Sequence, residues 1–174
     1  MAWLGVLVLA AWLSRHAAYA LYPYPYTAVV RANARAAGLD PLLVLAVMRT
    51  ESRFRPDVVS SEGAVGLMQV TPSTANWIAD QGRWPAATPN RLPEPAYNIA
   101  LGAWYLGHLR RYFGGRLVPA IAAYNAGPGP VTDWLDSHTW DGLLDSAQRI
   151  PFPETRRFVQ RVSGAYAVYR LLYR

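Results

Sequence analysis

The run Leu42-Leu43-Val44-Leu45-Ala46-Val47-Met48 limits this chain more than any other feature. It is apolar on nearly every side at helical spacing, so a helix built from it has no face for water and belongs in the middle of a domain. Asp40-Pro41 ahead of it supplies an N-cap followed by proline at the first helical position. The helix ends in Thr50-Glu51-Ser52. Val44, Val47, Met48 and Glu51 fall at i, i+3, i+4 and i+7, which puts a carboxyl on a core-facing stripe. That carboxyl also stands near the helix C-terminus, where the dipole disfavours negative charge. Burial and dipole both push its pKa upward. A carboxylic acid kept protonated near neutral pH is what a general acid requires. Spacing alone serves a second reading equally well, in which Glu51 frays from the helix end and pairs with Arg49 or Arg53.

No stretch has strand periodicity, and helix signals recur along the chain. Thr27 is expected to cap a helix that stops at Gly38, and Thr71-Pro72 to start one reaching Gln81. Gly82, Pro85, Pro89 and Pro93 mark a loop over 82–93. A long helix is predicted over 95–113, closed by Gly114-Gly115, with further helices over 119–126 and 131–137. Residues 138–153 read as less regular. A last helix over 154–173 carries Phe158, Val162, Tyr166 and Tyr169 on one face. The fold class is all-α, and 174 residues suffice for one domain with a real core.

Composition narrows the chemistry. All 17 basic residues are Arg, and against 11 acidic ones they leave a net charge of +6, which favours a polyanionic partner. No basic cluster alternates with aromatic residues, so nucleic acid is not expected. There is no Cys, and His16, His108 and His138 lack ligand spacing; neither metal nor cofactor is expected. Seven Trp and eleven Tyr could stack on sugars, although most aromatic residues in any domain are core. Residues 1–13 are almost wholly apolar, and Ala18-Tyr19-Ala20 has the small-x-small form of a signal-peptidase site. Residues 1–21 therefore read as a signal peptide or a membrane anchor. The run is short for a span, which needs ~20 apolar residues. A buried N-terminal helix is the third reading. Either of the first two sends the rest of the chain out of the cytoplasm.

Five motifs follow in order: Glu51-Ser52-x-Phe54; Gly63-Ala64-Val65-Gly66-Leu67-Met68-Gln69; Pro72-Ser73-Thr74-Ala75 with Asn98 beyond it; Ala123-Tyr124-Asn125-Ala126-Gly127-Pro128-Gly129; and Ile150-Pro151-Phe152-Pro153-Glu154-Thr155-Arg156. In this order and spacing the chain resembles the catalytic domain of soluble lytic murein transglycosylases, over about residues 26–174. Leu21-Tyr22-Pro23 also resembles small membrane-linked members that retain the N-terminal segment as an anchor. The resemblance implies a lysozyme-like helical domain over 22–174, with the catalytic glutamate, Glu51, on the buried central helix. It implies that Ser52 orders the nearby loop, and that Gly63 and Gly66 bring the Gly-Leu-Met-Gln segment to the cleft. Met68 and Gln69 would line the sugar site, Tyr124 would lie near the acid, and Asn98, Asn125 and Glu154 would meet the substrate. The family commonly has Tyr where this chain has Phe158, so one substrate hydrogen bond is expected to be missing.

The implied reaction cleaves the β-1,4 bond between N-acetylmuramic acid and N-acetylglucosamine in peptidoglycan. Most glycosidases use two carboxylates. Here Glu51 alone would protonate the bond oxygen and then take the proton of the carbon-6 hydroxyl as it closes a 1,6-anhydro ring. Two rivals stand beside this reading: a hydrolase resembling goose-type lysozymes, and a non-catalytic module that binds peptidoglycan.

Overall fold

The computed structural model describes residues 2–83 and 89–174. Pro85, in the expected loop, lies outside the described residues. Among the described residues there are eight α-helices: α1 (Ala2–Leu21), α2 (Thr27–Ala37), α3 (Pro41–Glu51), α4 (Pro72–Ile78), α5 (Pro95–Tyr112), α6 (Leu117–Ala126), α7 (Pro128–Asp136) and α8 (Pro153–Tyr173). The all-α expectation holds, and residues 55–70 form turns joined by two isolated antiparallel bridges, Val59 with Val65 and Val65 with Val70.

Local chemistry explains most boundaries. The Asp40 side chain accepts from the Leu42 amide, and the Thr71 side chain from the Thr74 amide, each just ahead of a proline that has no amide hydrogen to satisfy. Gly38 closes α2 in the left-handed region, with φ 72°. Thr27 departs from expectation: it is the first helical residue, and its hydroxyl donates to the Tyr24 carbonyl at 2.8 Å instead of capping. The third predicted helix splits at Ile78 into α4 and a π-helical turn, Ala79–Arg83. Both α6 and α7 begin earlier than predicted, because Pro119 and Pro130 are tolerated in a first turn.

α3 is the centre. Leu42 through Met48 are all buried. α8 packs along α3, α2 and α5 pair on another side, and α6 bridges α5 and α8. Phe158, Val162 and Tyr169 of the predicted α8 face are buried, and Tyr166 is partly so. Where α2 and α5 cross, Gly107 lies so close to Ala37 that a β-carbon would stand 2.5 Å from its carbonyl oxygen. The C-terminal turn of α8 also receives the N-terminal segment. Tyr19 donates to the Leu172 carbonyl at 3.0 Å, Tyr173 to that of Tyr22 at 2.7 Å, and Tyr169 to that of Pro23 at 2.9 Å. Residues 2–13 thus belong to a 20-residue helix that docks through its C-terminal end. Among the described residues no helix is long and apolar enough to cross a membrane, so the expectation of a spanning anchor finds no support there.

Candidate active site

Glu51 is the last residue of α3, where the buried helix surfaces. Its carboxyl is half-buried and receives no hydrogen bond among the described residues. Burial pushes its pKa up to about 8; the nearby Glu154 carboxylate adds to the rise and the Arg161 guanidinium opposes it. Glu51 forms no ion pair with Arg49 or Arg53 among the described residues. The ion pairs among the described residues are Arg91 with Glu94 and Arg174 with Asp40. Arg49 instead donates to the Leu21 carbonyl and lies 4.1 Å from the centre of the Tyr22 ring.

A polar scaffold stands beside this acid. Ser52, almost fully buried, donates through its hydroxyl to the Leu67 carbonyl at 2.8 Å and lies within reach of that of Met48 at 3.1 Å. It therefore ties the end of α3 to the Gly-Leu-Met-Gln segment. Asn98, on α5, has no exposed surface. Its carbonyl oxygen accepts from the Met68 amide at 2.7 Å, and its amide donates to Val65 and Leu92 carbonyls at 2.8 and 2.9 Å. Each donor and its acceptor are thus engaged by main chain. Asn98 sits behind the segment and holds it, a different place from the substrate contact expected. Gly66, at φ +81°, permits this grip: a β-carbon there would come 2.6 Å from the Asn98 amide nitrogen.

Met68 is also fully buried, against Gly102 of α5, where a β-carbon would stand 2.6 Å from both its Cβ and its Sδ. What Met68 offers the site is its main chain, since its carbonyl accepts from the Tyr124 hydroxyl at 2.8 Å. Gln69 takes a left-handed backbone, φ 48°, and its side-chain amide donates to the carbonyls of Gly66 at 2.9 Å and Val58 at 3.1 Å. That fixes its nitrogen and leaves its oxygen available as an acceptor.

Tyr124 and Asn125 come from the last turns of α6. Burial raises the Tyr124 pKa well above the ordinary phenol value, and the nearness of Glu51 and Tyr105 raises it further. The hydroxyl therefore stays protonated as a donor to Met68. Its ring stacks on Phe158 of α8, with centroids 6.4 Å apart and planes 6° from parallel, and lies 5.7 Å from Tyr105. Asn125 accepts from the Thr155 hydroxyl at 2.6 Å, joining the Ala-Tyr-Asn-Ala-Gly and Glu-Thr-Arg motifs. Glu154, exposed in the first turn of α8, contributes its field at Glu51. The contacts thus join Ser52, the 65–69 segment, Asn98 and Tyr124 into one scaffold, with Tyr124 and Glu154 near Glu51 and Asn125 bonded to the residue after Glu154.

Three contributors escaped sequence reasoning. Gly102 could have been found, because a glycine inside a strong helical pattern signals close approach. Arg161 had no sequence signal, and the stacking of Phe158 on Tyr124 could not be read without the fold.

Residues 28–142 match the family described as the Transglycosylase SLT domain. The soluble lytic murein transglycosylase of Salmonella typhimurium is 37% identical over 153 residues, covering 86% of this chain and 23% of that protein. Membrane-bound lytic murein transglycosylase C of Cronobacter sakazakii is 34% identical over 168 residues, covering 84% of this chain and 47% of that protein. Among solved structures, the 70 kDa soluble lytic transglycosylase of Escherichia coli superposes with a TM-score of 0.81 at 33% identity, over 86% of this chain and 25% of that one. An inactive Glu-to-Gln variant of the lytic transglycosylase Slt from Pseudomonas aeruginosa gives 0.78 at 37% identity, over 86% of this chain and 24% of that one. The chain thus spans about a quarter of the length of the soluble relatives it matches. A lysozyme-like helical fold, a match over most of the chain and relatives of one kind lead to a single assignment: the chain belongs to the SLT transglycosylase domain family.

Proposed function

We propose that this chain is a peptidoglycan lytic transglycosylase in which Glu51 serves in turn as acid and base. The observation that carries the reading is the placement of Glu51: a carboxyl at the end of a buried helix, without a hydrogen-bond partner among the described residues, where burial pushes its pKa up to about 8. At neutral pH such a group is mostly protonated and can donate to the glycosidic oxygen between N-acetylmuramic acid and N-acetylglucosamine. Donation leaves a carboxylate in a place that disfavours charge, which makes it a ready base for the carbon-6 hydroxyl of the muramoyl residue. That hydroxyl belongs to the same sugar and has a high effective concentration, so no second carboxylate is needed to position water. The ring closes as 1,6-anhydromuramic acid, and Glu51 is protonated again.

The neighbours take supporting roles in this reading. Tyr124, its proton committed to the Met68 carbonyl, keeps a phenolic oxygen near the acid that can accept from it or from the sugar. Gln69 and Asn125 offer amides to the N-acetyl groups, and Glu154 borders the cleft. Ser52, Met68 and Asn98 keep the wall in place. The substrate lies outside the cytoplasm, and so would the enzyme, with residues 1–21 as its export segment. The relatives' names, both soluble and membrane-bound, support a wall-directed role without fixing how this chain is held.

Digestion of purified sacculi followed by mass spectrometry of the muropeptides tests the proposal. The expected products end in anhydromuramic acid and are lighter by one water than hydrolase products. Reducing ends throughout would establish a lysozyme-like hydrolase. Binding without any product would establish a glycan-binding module.

A further inference from the structure

The two ends of the chain carry positive charge only: no acidic residue precedes Asp40 and none follows Glu154. The fold brings these ends together at the base of α1. There the rings of Tyr19 and Tyr24 both meet that of Tyr173 edge-on, with centroids 5.3 and 5.5 Å apart. Arg15 lies 5.6 Å from the centre of the Tyr19 ring, Arg31 5.4 Å from that of Tyr24, and Arg170 5.6 Å from that of Tyr166. These arginines are exposed residues of α1, α2 and α8, and none is in an ion pair among the described residues. Asp40, which accepts from the Tyr166 hydroxyl, is already paired with Arg174. Beyond this collar, every described side chain from Trp3 to Ala17 is exposed, Trp3 at 83% and Trp12 at 54%. The spacing of the two tryptophans puts them on opposite sides of the helix. A helix that is apolar all round belongs in a core or in lipid, not in water.

We propose that the apolar part of α1 and the tyrosine–arginine collar at its base form one docking surface for an anionic lipid bilayer. The helix enters the hydrocarbon, and the guanidinium groups of Arg15, Arg31 and Arg170 meet the phosphates. Such a surface needs an occupant that offers hydrocarbon and, directly beside it, negative charge. A phospholipid leaflet has both in that order. A glycan strand or an anionic wall polymer covers the arginines and leaves the tryptophans in water. A second copy of the chain covers the helix but brings the same unpaired arginines to the contact, where like charges oppose it. Tyrosine rings, apolar in body and polar at the tip, suit the headgroup level. Residues 2–13 rise about 18 Å as a helix, short of the ~30 Å hydrocarbon core, so docking does not depend on a span. The hydrogen bonds from Tyr19 to the Leu172 carbonyl and from Tyr173 to the Tyr22 carbonyl fix α1 against α8. The collar therefore sets the angle at which the domain sits on the lipid, whatever reaction the domain performs.

The test is co-sedimentation of the full chain with vesicles of phosphatidylcholine alone and with vesicles of phosphatidylcholine and phosphatidylglycerol in equal parts, at physiological salt. The parent is expected to bind both and to prefer the anionic vesicles by about a hundredfold, since each arginine at an anionic surface contributes roughly fivefold. Arg31→Gln combined with Arg170→Gln should weaken binding to the anionic vesicles about 25-fold, with binding to phosphatidylcholine and the thermal unfolding midpoint unchanged. The Arg31→Lys, Arg170→Lys pair should recover most of the loss, which separates charge from a disturbed fold. Arg157→Gln, about 20 Å away along α8, should change anionic binding less than about twofold. Equal binding of the parent to both vesicles, no loss in the double Gln variant, or a loss that the Lys pair does not reverse overturns the collar. An equal loss in Arg157→Gln overturns it in favour of diffuse charge attraction. A parent that binds neither vesicle overturns the docking surface, and sedimentation as a dimer would then identify a second copy as what covers α1.

Discussion

Two regions meet at the candidate site, and they treat polar groups in opposite ways. In the wall formed by residues 65–69 and Asn98, polar side chains are engaged by main chain, and Asn98 alone makes three such bonds while fully buried. At the end of α3 the Glu51 carboxyl has no hydrogen-bond donor among the described residues. A satisfied polar group holds geometry, whereas an unsatisfied carboxyl holds a proton. The contrast teaches that the polar residues of such a site divide into those that build it and those that react, and that burial with bonding separates them.

Breaking the wall should produce the largest change in stability. Asn98→Ala removes three hydrogen bonds, two of them buried, and leaves the Met68 amide and the Leu92 carbonyl without their partners, while the Val65 carbonyl keeps its bond from the Val70 amide. The expected loss is about 3–5 kcal/mol in denaturant unfolding, with activity falling as the Met68–Tyr124 contact loosens. A loss near zero would mean that water replaces the amide and that the wall is not built as described.

Crowding the wall should do less. In an exposed helix Gly→Ala stabilises by about 1 kcal/mol. At Gly102 the added β-carbon would meet Met68 at 2.6 Å and the Tyr124 hydroxyl at 2.9 Å. Gly102→Ala is therefore expected to destabilise by about 1–3 kcal/mol and to lower kcat more than it raises KM. A stabilised, fully active variant would show that α5 and the wall can separate freely.

Phe158→Tyr should have the smallest effect. Phe158 is 4% exposed and stacks on Tyr124. The resemblance implied a lost substrate hydrogen bond at this position. Burial against Tyr124 makes the ring part of the support for that tyrosine, so a hydroxyl added there should change kcat/KM by about twofold or less, given that a net hydrogen bond contributes only about 1 kcal/mol. A tenfold gain in kcat/KM would show that the hydroxyl reaches the substrate and that the resemblance was the better guide.

Much of this was legible in the sequence. The apolar run from Leu42 to Met48, framed by Asp40-Pro41, announced the central helix and the acid at its end, because a cap, a proline and an all-round apolar pattern act locally. The same local logic failed at Thr27, whose hydroxyl turns back to Tyr24, and at residues 128–130, where prolines start α7 instead of delaying it. The motifs named the candidate residues but not the division of labour among them. Asn98 was expected at the substrate and lies beneath the wall, because its depth depends on α5 packing against a segment 30 residues away in sequence. Arg161 stands more than a hundred residues after Glu51, and only the packing of α8 on α3 brings its charge to the acid.

The central claim is that burial keeps Glu51 protonated, and its pH-linked contribution to stability tests this most directly. The folded pKa of about 8 lies above the ordinary value of 4.5, so between these two values the folded state binds more protons than the unfolded one. The stability associated with this group is then fully present below pH 4.5 and is lost as pH rises through about 8. Glu51→Gln carries no titrating carboxyl and escapes that loss. Unfolding free energies of parent and variant, measured by denaturant titration from acidic to mildly alkaline pH, should diverge in favour of the variant as pH rises, while the variant has lost turnover by about a hundredfold or more. The divergence should approach ~1.4 kcal/mol for each pH unit between the folded and unfolded pKa values. An inactive variant that is instead less stable than the parent at neutral pH, with the gap closing in acid, would contradict the account, because it would mean that the ionised carboxylate is the stabilising form.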